Sequence, residues 1–364
     1  VTVRVGILGG GQLGRMLALA GHPLGITCTV LDPADDCCAS QVCRHIRGEF
    51  EGDYAALYRL VQASDIITYE FENVPVETAR WLAERLPVFP PPQALEVCQD
   101  RVTEKSFLQS LGIPTPPFVA VETRAEFDAA LADIGLPAVL KTRRFGYDGK
   151  GQAVLRTPAD AEAAWERLSG RPLILEGFVP FDRELSLIAV RDAAGDIGTY
   201  PLIENWHVDG VLHRSVAPAA GVSDELYELA ATSAERVLTA LNYVGVLTVE
   251  WFQHGPRLLV NELAPRVHNS GHWTIEAAET SQFENHLRAV CGYPLGSAAA
   301  TRHAVLYNFI GTVPPVASVL GEPNAHLHRY GKADRPGRKV GHVTISDAIP
   351  HELARLDDKF ARGS

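Results

Sequence analysis

Asn261-Glu262-Leu263-Ala264-Pro265-Arg266-Val267-His268-Asn269-Ser270-Gly271-His272-Trp273 follows an apolar, strand-like run and crowds an acid, two amides, an arginine, two imidazoles and a hydroxyl into thirteen residues. A loop that only connects two elements has little use for so many polar chemistries. The stretch predicts a junction of two ligands, one held by Glu262 through a metal ion and one by Arg266 and the residues after it. The bland alternative is a solvated loop with a few helix caps.

Two strands lead into this junction. Val244 to Phe252 and Arg257 to Leu263 read as neighbours, with Glu250 inside the first and Glu262 near the end of the second. Side chains alternate faces along a strand, so register decides whether the two carboxylates can meet. A four-residue turn at 253–256, pairing Phe252 with Arg257, would put them on opposite faces. A five-residue loop or one bulge puts both on the same face, and that is the expectation. Two oxygen-donor side chains on adjacent strands suit magnesium, a hard cation. Zinc is disfavoured because no His/Cys cluster has suitable spacing. His268 and His272 are four residues apart, but Gly271 and the turn-like sequence argue against a helical metal motif.

The bulk numbers exclude several classes. A chain of 364 residues exceeds one typical hydrophobic core and suggests two or three domains. A net charge of −11 speaks against a nucleic-acid partner, whose phosphates want a basic face. No apolar run is long enough to span a membrane, and Val1 to Leu8 reads as a strand, not a signal segment, so the cytoplasm is expected. The six cysteines show no C-x-x-C pair; Cys37, Cys38 and Cys43 could form a thiolate cluster, but reduced structural thiols are the expectation.

In chain order, Val3 to Leu8, a glycine turn, a helix and Thr27 to Leu31 form a β-α-β start. Gly9, Gly11 and Gly14 satisfy G-x-G-x-x-G, and Asp32 lies 18 residues beyond the last of them. Alone, this matches a dinucleotide fingerprint, with phosphate on the helix N-terminus and Asp32 on a ribose. Gln12, inside the turn, is placed to read a polar ligand. Further strands at Ile66 to Glu70 and Val88 to Phe89 alternate with helices around Tyr54 to Ala63 and Val76 to Leu86. They complete a small doubly wound sheet. Glu70 and Glu72 sit at a strand's carboxyl end, either as pocket residues or as loop acids and caps. Pro90-Pro91-Pro92 marks the first boundary.

Asp100, Thr123 with Glu126, Thr157 with Pro158, and Ser223 are helix-start signals. A strand from Ala138 delivers Lys141 to Arg143-Arg144-Phe145-Gly146-Tyr147-Asp148-Gly149-Lys150-Gly151, a basic, glycine-rich loop that is not a P-loop. It could fold over phosphates or simply link two strands. Leu173 to Glu176 is a short strand feeding the hinge Gly177-Phe178-Val179. Another strand opens on Glu184, and His207 lies in a turn region. After Pro294 the chain turns β-rich, with strands at Ala304 to Ile310, His326 to Tyr330 and Gly341 to Ile345. Residues 329–339 carry five basic residues and one acid, which predicts an anion-binding loop. Three domains are expected: 1–92 Rossmann-like, 93–295 central, 296–364 β-rich.

A strand lysine, a glycine-rich loop, a hinge, an acid for ribose and a carboxylate pair are the parts that nucleoside triphosphate chemistry needs. Here the sequence resembles the ATP-grasp superfamily. The stretches GGGQLGR (9–15), GYDGKGQ (146–152), NELAPRVHNSGHW (261–273) and RPGRKVGH (335–342) resemble the N5-carboxyaminoimidazole ribonucleotide synthetases of purine biosynthesis, and they stand in that family's order. The resemblance implies an ATP-grasp fold, α/β and α+β, with an N-terminal doubly wound domain and a small β-rich C-terminal one. It implies a ligase that carboxylates the amine of 5-aminoimidazole ribonucleotide with ATP and bicarbonate, through carboxyphosphate.

By motif position it implies ATP contacts from Arg101, Lys141, Gly146, Tyr147, Asp148, Gly149, Lys150, Gly151, Gln152, Glu176, Gly177, Phe178, Val179, Glu184, His207, Asn261 and Glu262. Magnesium, two ions, would sit on Glu250 and Glu262. Gln12, Tyr147, Asp148, Lys150, Arg266, His268, Asn269 and Ser270 would face the ribonucleotide or the carboxyl group, and Lys332 and Arg338 its phosphate. Lys141 and Arg266 would act on the reacting groups, with Asp148 or His268 orienting the amine. Lys150 stands where the family pattern leads one to expect arginine; it keeps the charge and loses the bidentate fork. Neither biotin nor NAD is implied, no nucleic acid or membrane is expected, and a homodimer is. The rivals are a formate-using relative, a nicotinamide oxidoreductase suggested only by the first glycine loop, and a non-enzymatic nucleotide sensor.

Overall fold

The computed structural model describes residues 2–146, 149–348 and 352–360 and contains three sheets. The first is parallel, with strand order Arg44–Arg47, Thr27–Asp32, Arg4–Leu8, Ile66–Tyr69. Val5, Ile7, Val30 and Ile67 are buried in it, as near-continuous apolar strands of a parallel sheet should be. Strand Arg44–Arg47 was not foreseen: Ile46 is its one apolar residue, so no alternation marks it. The expected strand at Val88 is a single bridge to Ile67. Pro92 does not break structure but opens the helix Pro92–Cys98, where its missing N–H costs nothing.

The second sheet is antiparallel, in the order Phe118–Val121, Leu173–Gly177, Ala138–Thr142, Gln152–Leu155. Helices Arg124–Ile134 and Pro158–Leu168 pack their Phe127, Ala161 and Leu168 against it. Each begins with a complete capping box, Thr123 with Glu126 and Thr157 with Asp160.

The third sheet carries the chemistry. Its main order is Arg257–Ala264, Gly245–His254, Arg183–Arg191, Ile203–Val208, Val211–Ala217, Ala304–Ile310, Lys339–Ser346, Ala325–Arg329. Leu185, Leu187, Ala189, Leu247 and Val249 face the helix Asp224–Ala240. On the opposite face, Ile188 and Val190 pack with Leu13, Leu17, Trp273 and Phe283. Further along that second face the row turns polar. Glu262 pairs with Glu250, Glu250 with Ser186, Glu184 with Asn205 and Asn205 with Ser215. Strand Ala304–Ile310 pairs directly with Val211–Ala217. The strands of the expected third segment therefore extend the sheet of the second, and residue 296 marks no break in hydrogen bonding. Among the described residues no helix is long and apolar enough to cross a membrane.

Candidate active site

Strands Gly245–His254 and Arg257–Ala264 form a hairpin closed by Gly255-Pro256. Glu250 pairs with Glu262, yet Trp251 pairs with Val260, so one bulge leaves Asn261 without a cross-strand partner. That bulge keeps the two carboxylates on one face. Nη1 of Arg101 donates to Glu262 Oε2 at 2.9 Å, and Nε2 of His268 lies 3.0 Å from Glu250 Oε1. Burial would push the Glu250 carboxyl up, but His268, His207 and Arg266 outweigh it and hold it at about 2. Glu250 is thus anionic at neutral pH. Among the described residues no three His, Cys, Asp or Glu side chains gather into a metal cage. Two carboxylates open to a cavity nonetheless fit magnesium, which shares its shell with water and substrate phosphate.

One cavity beside this pair is lined by Lys141, Phe178, Val179, Glu184, Phe252 and Asn261. Nζ of Lys141 donates to Glu176 Oε2 at 2.8 Å and to Asn261 Oδ1 at 3.4 Å. Glu176 is buried, which alone would raise its carboxyl; Lys141, Lys105 and Arg101 bring it down to about 2. Its side chain therefore fixes a lysine, while the following Gly177, Phe178 and Val179 line the cavity. Glu184 accepts from His207 at 2.8 Å. Burial disfavours the His207 cation, but Glu184 and Glu250 raise the imidazole net.

Sequence reasoning missed Glu104 and Lys105. Both are buried: Lys105 donates to the Asn261 carbonyl at 3.0 Å, and Glu104 accepts the Leu263 N–H at 2.7 Å. Burial drives the Glu104 carboxyl up to about 8 against the pull of Lys105. Burial also lowers the Lys105 ammonium. A signal existed, because Glu104, Leu108 and Leu111, and Arg101, Lys105 and Leu108, follow i, i+4, i+7 spacing. Charges on the apolar stripe of a helix need buried partners.

The loop after Lys141 is a hairpin in which Lys141 pairs with Gln152. Gly149 and Gly151 have φ of 72° and 74°. A Cβ on Gly149 would come within 2.6 Å of the Asp209 carbonyl, so glycine lets the loop lie against the turn at Asp209-Gly210. Tyr147 and Asp148 lie outside the described residues. Gly149, Lys150 and Gln152 line the Lys141 cavity; Gly146 lines a second one.

That second cavity is bounded by Gln12, Glu72, Arg266, His268 and Asn269. Nε of Arg266 donates to Glu72, and its Nη1 donates to the Val267 carbonyl at 3.0 Å. Burial works against the Arg266 cation and against the Glu72 anion, yet their pairing raises the first and lowers the second. Neither amide atom of Asn269 meets a protein partner among the described residues, which suits a ligand-facing amide. Lys332 donates to Gln12 at 2.5 Å, so the basic C-terminal loop reaches the first glycine turn. Lys332 and Arg338, which touches the Ala333 carbonyl at 3.4 Å, are both absent from the cavity lining, whereas the unforeseen Lys339 and Phe145 belong to it. Ser270, expected to face the acceptor, is fully buried. The short turn Asn269–Gly271 points its hydroxyl at His268 and Ser186, 2.9 and 2.8 Å away.

The dinucleotide reading of the first glycine loop falls. Gly10 N–H donates to Asp32 and Gly11 N–H to Glu70, each at 2.8 Å. The chain's own carboxylates occupy the amides that a pyrophosphate would need, and both Asp32 oxygens accept backbone N–H groups, from Gly10 and Ala34. Burial raises the Glu70 carboxyl despite the Gly11 bond.

The two cavities share a wall made of Arg101, His207, Gly210, Glu250 and Glu262. Comparisons with known proteins match three stretches of the chain. Residues 106–283 match the ATP-grasp domain, 2–99 a ribonucleotide synthetase preATP-grasp domain, and 304–355 a phosphoribosylaminoimidazole carboxylase C-terminal domain. The chain is 54% identical over 343 residues to the N5-carboxyaminoimidazole ribonucleotide synthase of Pseudomonas aeruginosa, covering 94% of each chain. It is 57% identical to the crystal structure of the synthetase from Thermus thermophilus, with a TM-score of 0.93 and coverage of 97% and 98%. The Aspergillus clavatus enzyme, crystallised with ADP and 5-aminoimidazole ribonucleotide, is 32% identical with a TM-score of 0.91 over 98% and 97% of the two chains.

Proposed function

Since the chain belongs to the N5-carboxyaminoimidazole ribonucleotide synthase family, ATP-dependent ATP-grasp enzymes of purine biosynthesis, we propose that its two cavities divide the reaction between them. ATP takes the Lys141 side, with adenine at the Glu176–Val179 hinge and ribose at Glu184. The aminoimidazole ribonucleotide takes the Arg266 side. The observation that carries this reading is the shared wall, across which a carboxyl group activated beside ATP is handed to the amine of the ribonucleotide.

In the first step a bicarbonate oxygen attacks the γ-phosphorus and ADP leaves, giving carboxyphosphate. The ribonucleotide's exocyclic amine then forms a bond to the carboxyl carbon, or to the carbon dioxide released there; phosphate departs and the amine loses a proton. Lys141, Arg101 and the Gly146–Gln152 loop offset phosphate charge as it develops. Glu250 and Glu262 would hold magnesium, which neutralises phosphate oxygens when bound. Arg266, anchored by Glu72, holds the carboxyl group, and Gln12, Asn269, Lys332 and Lys339 hold the ribonucleotide. Asp148 or His268 orients the amine. Six unpaired cysteines support work in a reducing cytoplasm. Exposed Tyr54 and Tyr58, packed around Trp81, support a dimer through the first segment.

The test is ADP release with 5-aminoimidazole ribonucleotide present, comparing bicarbonate, formate and neither. Release that depends on bicarbonate and on the ribonucleotide is expected. Equal or greater release with formate would overturn the assignment of bicarbonate.

A further inference from the structure

A buried chain of hydrogen bonds runs from the middle of the large sheet to the acid pair. Ser215 Oγ donates to Asn205 Oδ1 at 2.7 Å, and Asn205 Nδ2 donates to Ser186 Oγ at 2.9 Å. Ser186 Oγ donates to Ser270 Oγ at 2.8 Å, and Ser270 Oγ lies 2.9 Å from His268 Nδ1. At the far end, His268 Nε2 meets Glu250 Oε1 at 3.0 Å. The three serines and Asn205 are all buried, on adjacent strands and the turn above them. In the alternating pattern of this sheet, apolar residues would fill those positions at less cost.

The chain has a direction. A backbone N–H can only donate, and the Ser270 N–H points at His268 Nδ1 from 3.3 Å. Nδ1 is therefore an acceptor, and the ring's proton sits on Nε2, aimed at a carboxylate that can only accept. Asn205 enforces the same sense from the other end. Its amide nitrogen donates to Ser186 and the Ser186 hydroxyl donates to Ser270, an arrangement that leaves the Ser270 hydroxyl to donate to His268. Gln282 fixes the ring's base by bonding both backbone groups of His268, at 2.9 and 2.6 Å.

We propose that Ser186 and Asn205 are positioning residues that lock His268 as the Nε2–H tautomer. His268 then works as a fixed hydrogen-bond donor beside Glu250. Nδ1 faces into the protein, toward the hydroxyl and backbone N–H of Ser270. The inference rests on the reading of Glu250 and His268 as parts of the reacting centre, but its primary readout needs no turnover.

The experiment is a long-range 1H–15N correlation spectrum of the full chain carrying 15N-histidine, with the His268 ring assigned by its loss in His268→Gln. The expected wild-type pattern is a bare Nδ1 and a protonated Nε2; an Nδ1–H pattern overturns the proposal whatever the activity. In Ser186→Ala the His268 ring is expected to become a tautomer mixture. Its kcat should fall about tenfold, with KM for ATP unchanged, the loss of one directing hydrogen bond. Ser186→Cys, which keeps a weak donor of similar size, is expected to recover part of kcat. A folded Ser186→Ala with an unchanged His268 spectrum and kcat within about twofold of wild type would reduce the chain to packing and sink the idea. If activity fails the bicarbonate test while the tautomer is as expected, the functional reading is at fault and the positioning chain stands.

Discussion

The two glycine-rich loops look alike in sequence and do opposite things. In the loop at Gly9–Gly14, the amides of Gly10 and Gly11 are taken by Asp32 and Glu70 of the same sheet, and Gly14 lets the helix sit on the Gly9 carbonyl. In the loop at Gly146–Gly151, Gly149 and Gly151 adopt left-handed backbone so that the hairpin lies over a cavity and against the turn at Asp209. The first loop is closed by the protein's own anions, while the second sits beside Lys141 and faces open space. A glycine pattern thus states that backbone comes close to something; the neighbouring charges decide what. Carboxylates behind the first loop exclude a pyrophosphate, whereas lysines behind the second invite one.

The sharpest way to break this contrast is at Arg266, the cation on the first loop's side of the shared wall. Arg266→Ala should lower bicarbonate- and ribonucleotide-dependent ADP release by about 10²–10³-fold, as removal of a charge-stabilising donor does. It also leaves the partly exposed Glu72 without its partner, so the thermal midpoint must be read in parallel. Arg266→Lys keeps the charge but not the fork and should fall between the two. Near-normal turnover by a folded Arg266→Ala would remove this residue from the reacting centre.

How far the sequence reveals these features follows from how local they are. The caps at Thr123, Thr157 and Ser223 involve residues three apart and are readable by inspection. The bulge at Glu250 is inferable because two acids on adjacent strands otherwise face apart. Glu104 and Lys105 belong to the helix Arg101–Ser110, yet their partners lie at Glu176, Asn261 and Leu263. No local pattern names those partners, though the stripe with Leu108 advertises that the charges are buried. The G-x-G-x-x-G match misleads for the same reason, since Glu70, which takes the Gly11 amide, is 59 residues away. The pairing of Ala304–Ile310 with Val211–Ala217 is likewise invisible to a reading that divides the chain by composition.

A pair of glycine substitutions tests the contrast between loops directly. On Gly149 a Cβ meets the Asp209 carbonyl at 2.6 Å with φ at 72°, so Gly149→Ala forces the hairpin off its turn. A strain of about 1–3 kcal/mol should raise KM for ATP about tenfold and leave the thermal midpoint within roughly 2 °C, because the loop is outside the core. On Gly14 a Cβ meets the Gly9 carbonyl at 2.8 Å inside the first core. Gly14→Ala should cost about 1–3 kcal/mol of stability and lower the midpoint by several degrees, with KM for ATP unchanged. Exchanged outcomes would mean that the first loop, not the second, handles ATP.

The smallest effect is a pH slope, and it separates the two kinds of buried acid behind the second loop. Glu104 is raised to about 8 by burial, above its unfolded value near 4.5. Between those values the folded chain holds a proton that the unfolded chain has released, so this group makes stability fall as pH rises through that window. Glu176 is the reverse case. With Lys141 and Lys105 outweighing burial it sits at about 2, so its contribution is full above 4.5 and is lost as pH falls toward 2. Glu104→Gln keeps an acceptor for the Leu263 N–H and has no charge to remove. Thermal midpoints measured from pH 5 to 8 should decline less steeply in Glu104→Gln than in wild type, while the acid limb below pH 4.5 stays the same. An unchanged slope between pH 5 and 8 would mean that Lys105 keeps Glu104 ionised throughout. The wall behind the second loop would then be a fully charged network instead of one holding a neutral carboxyl at its base.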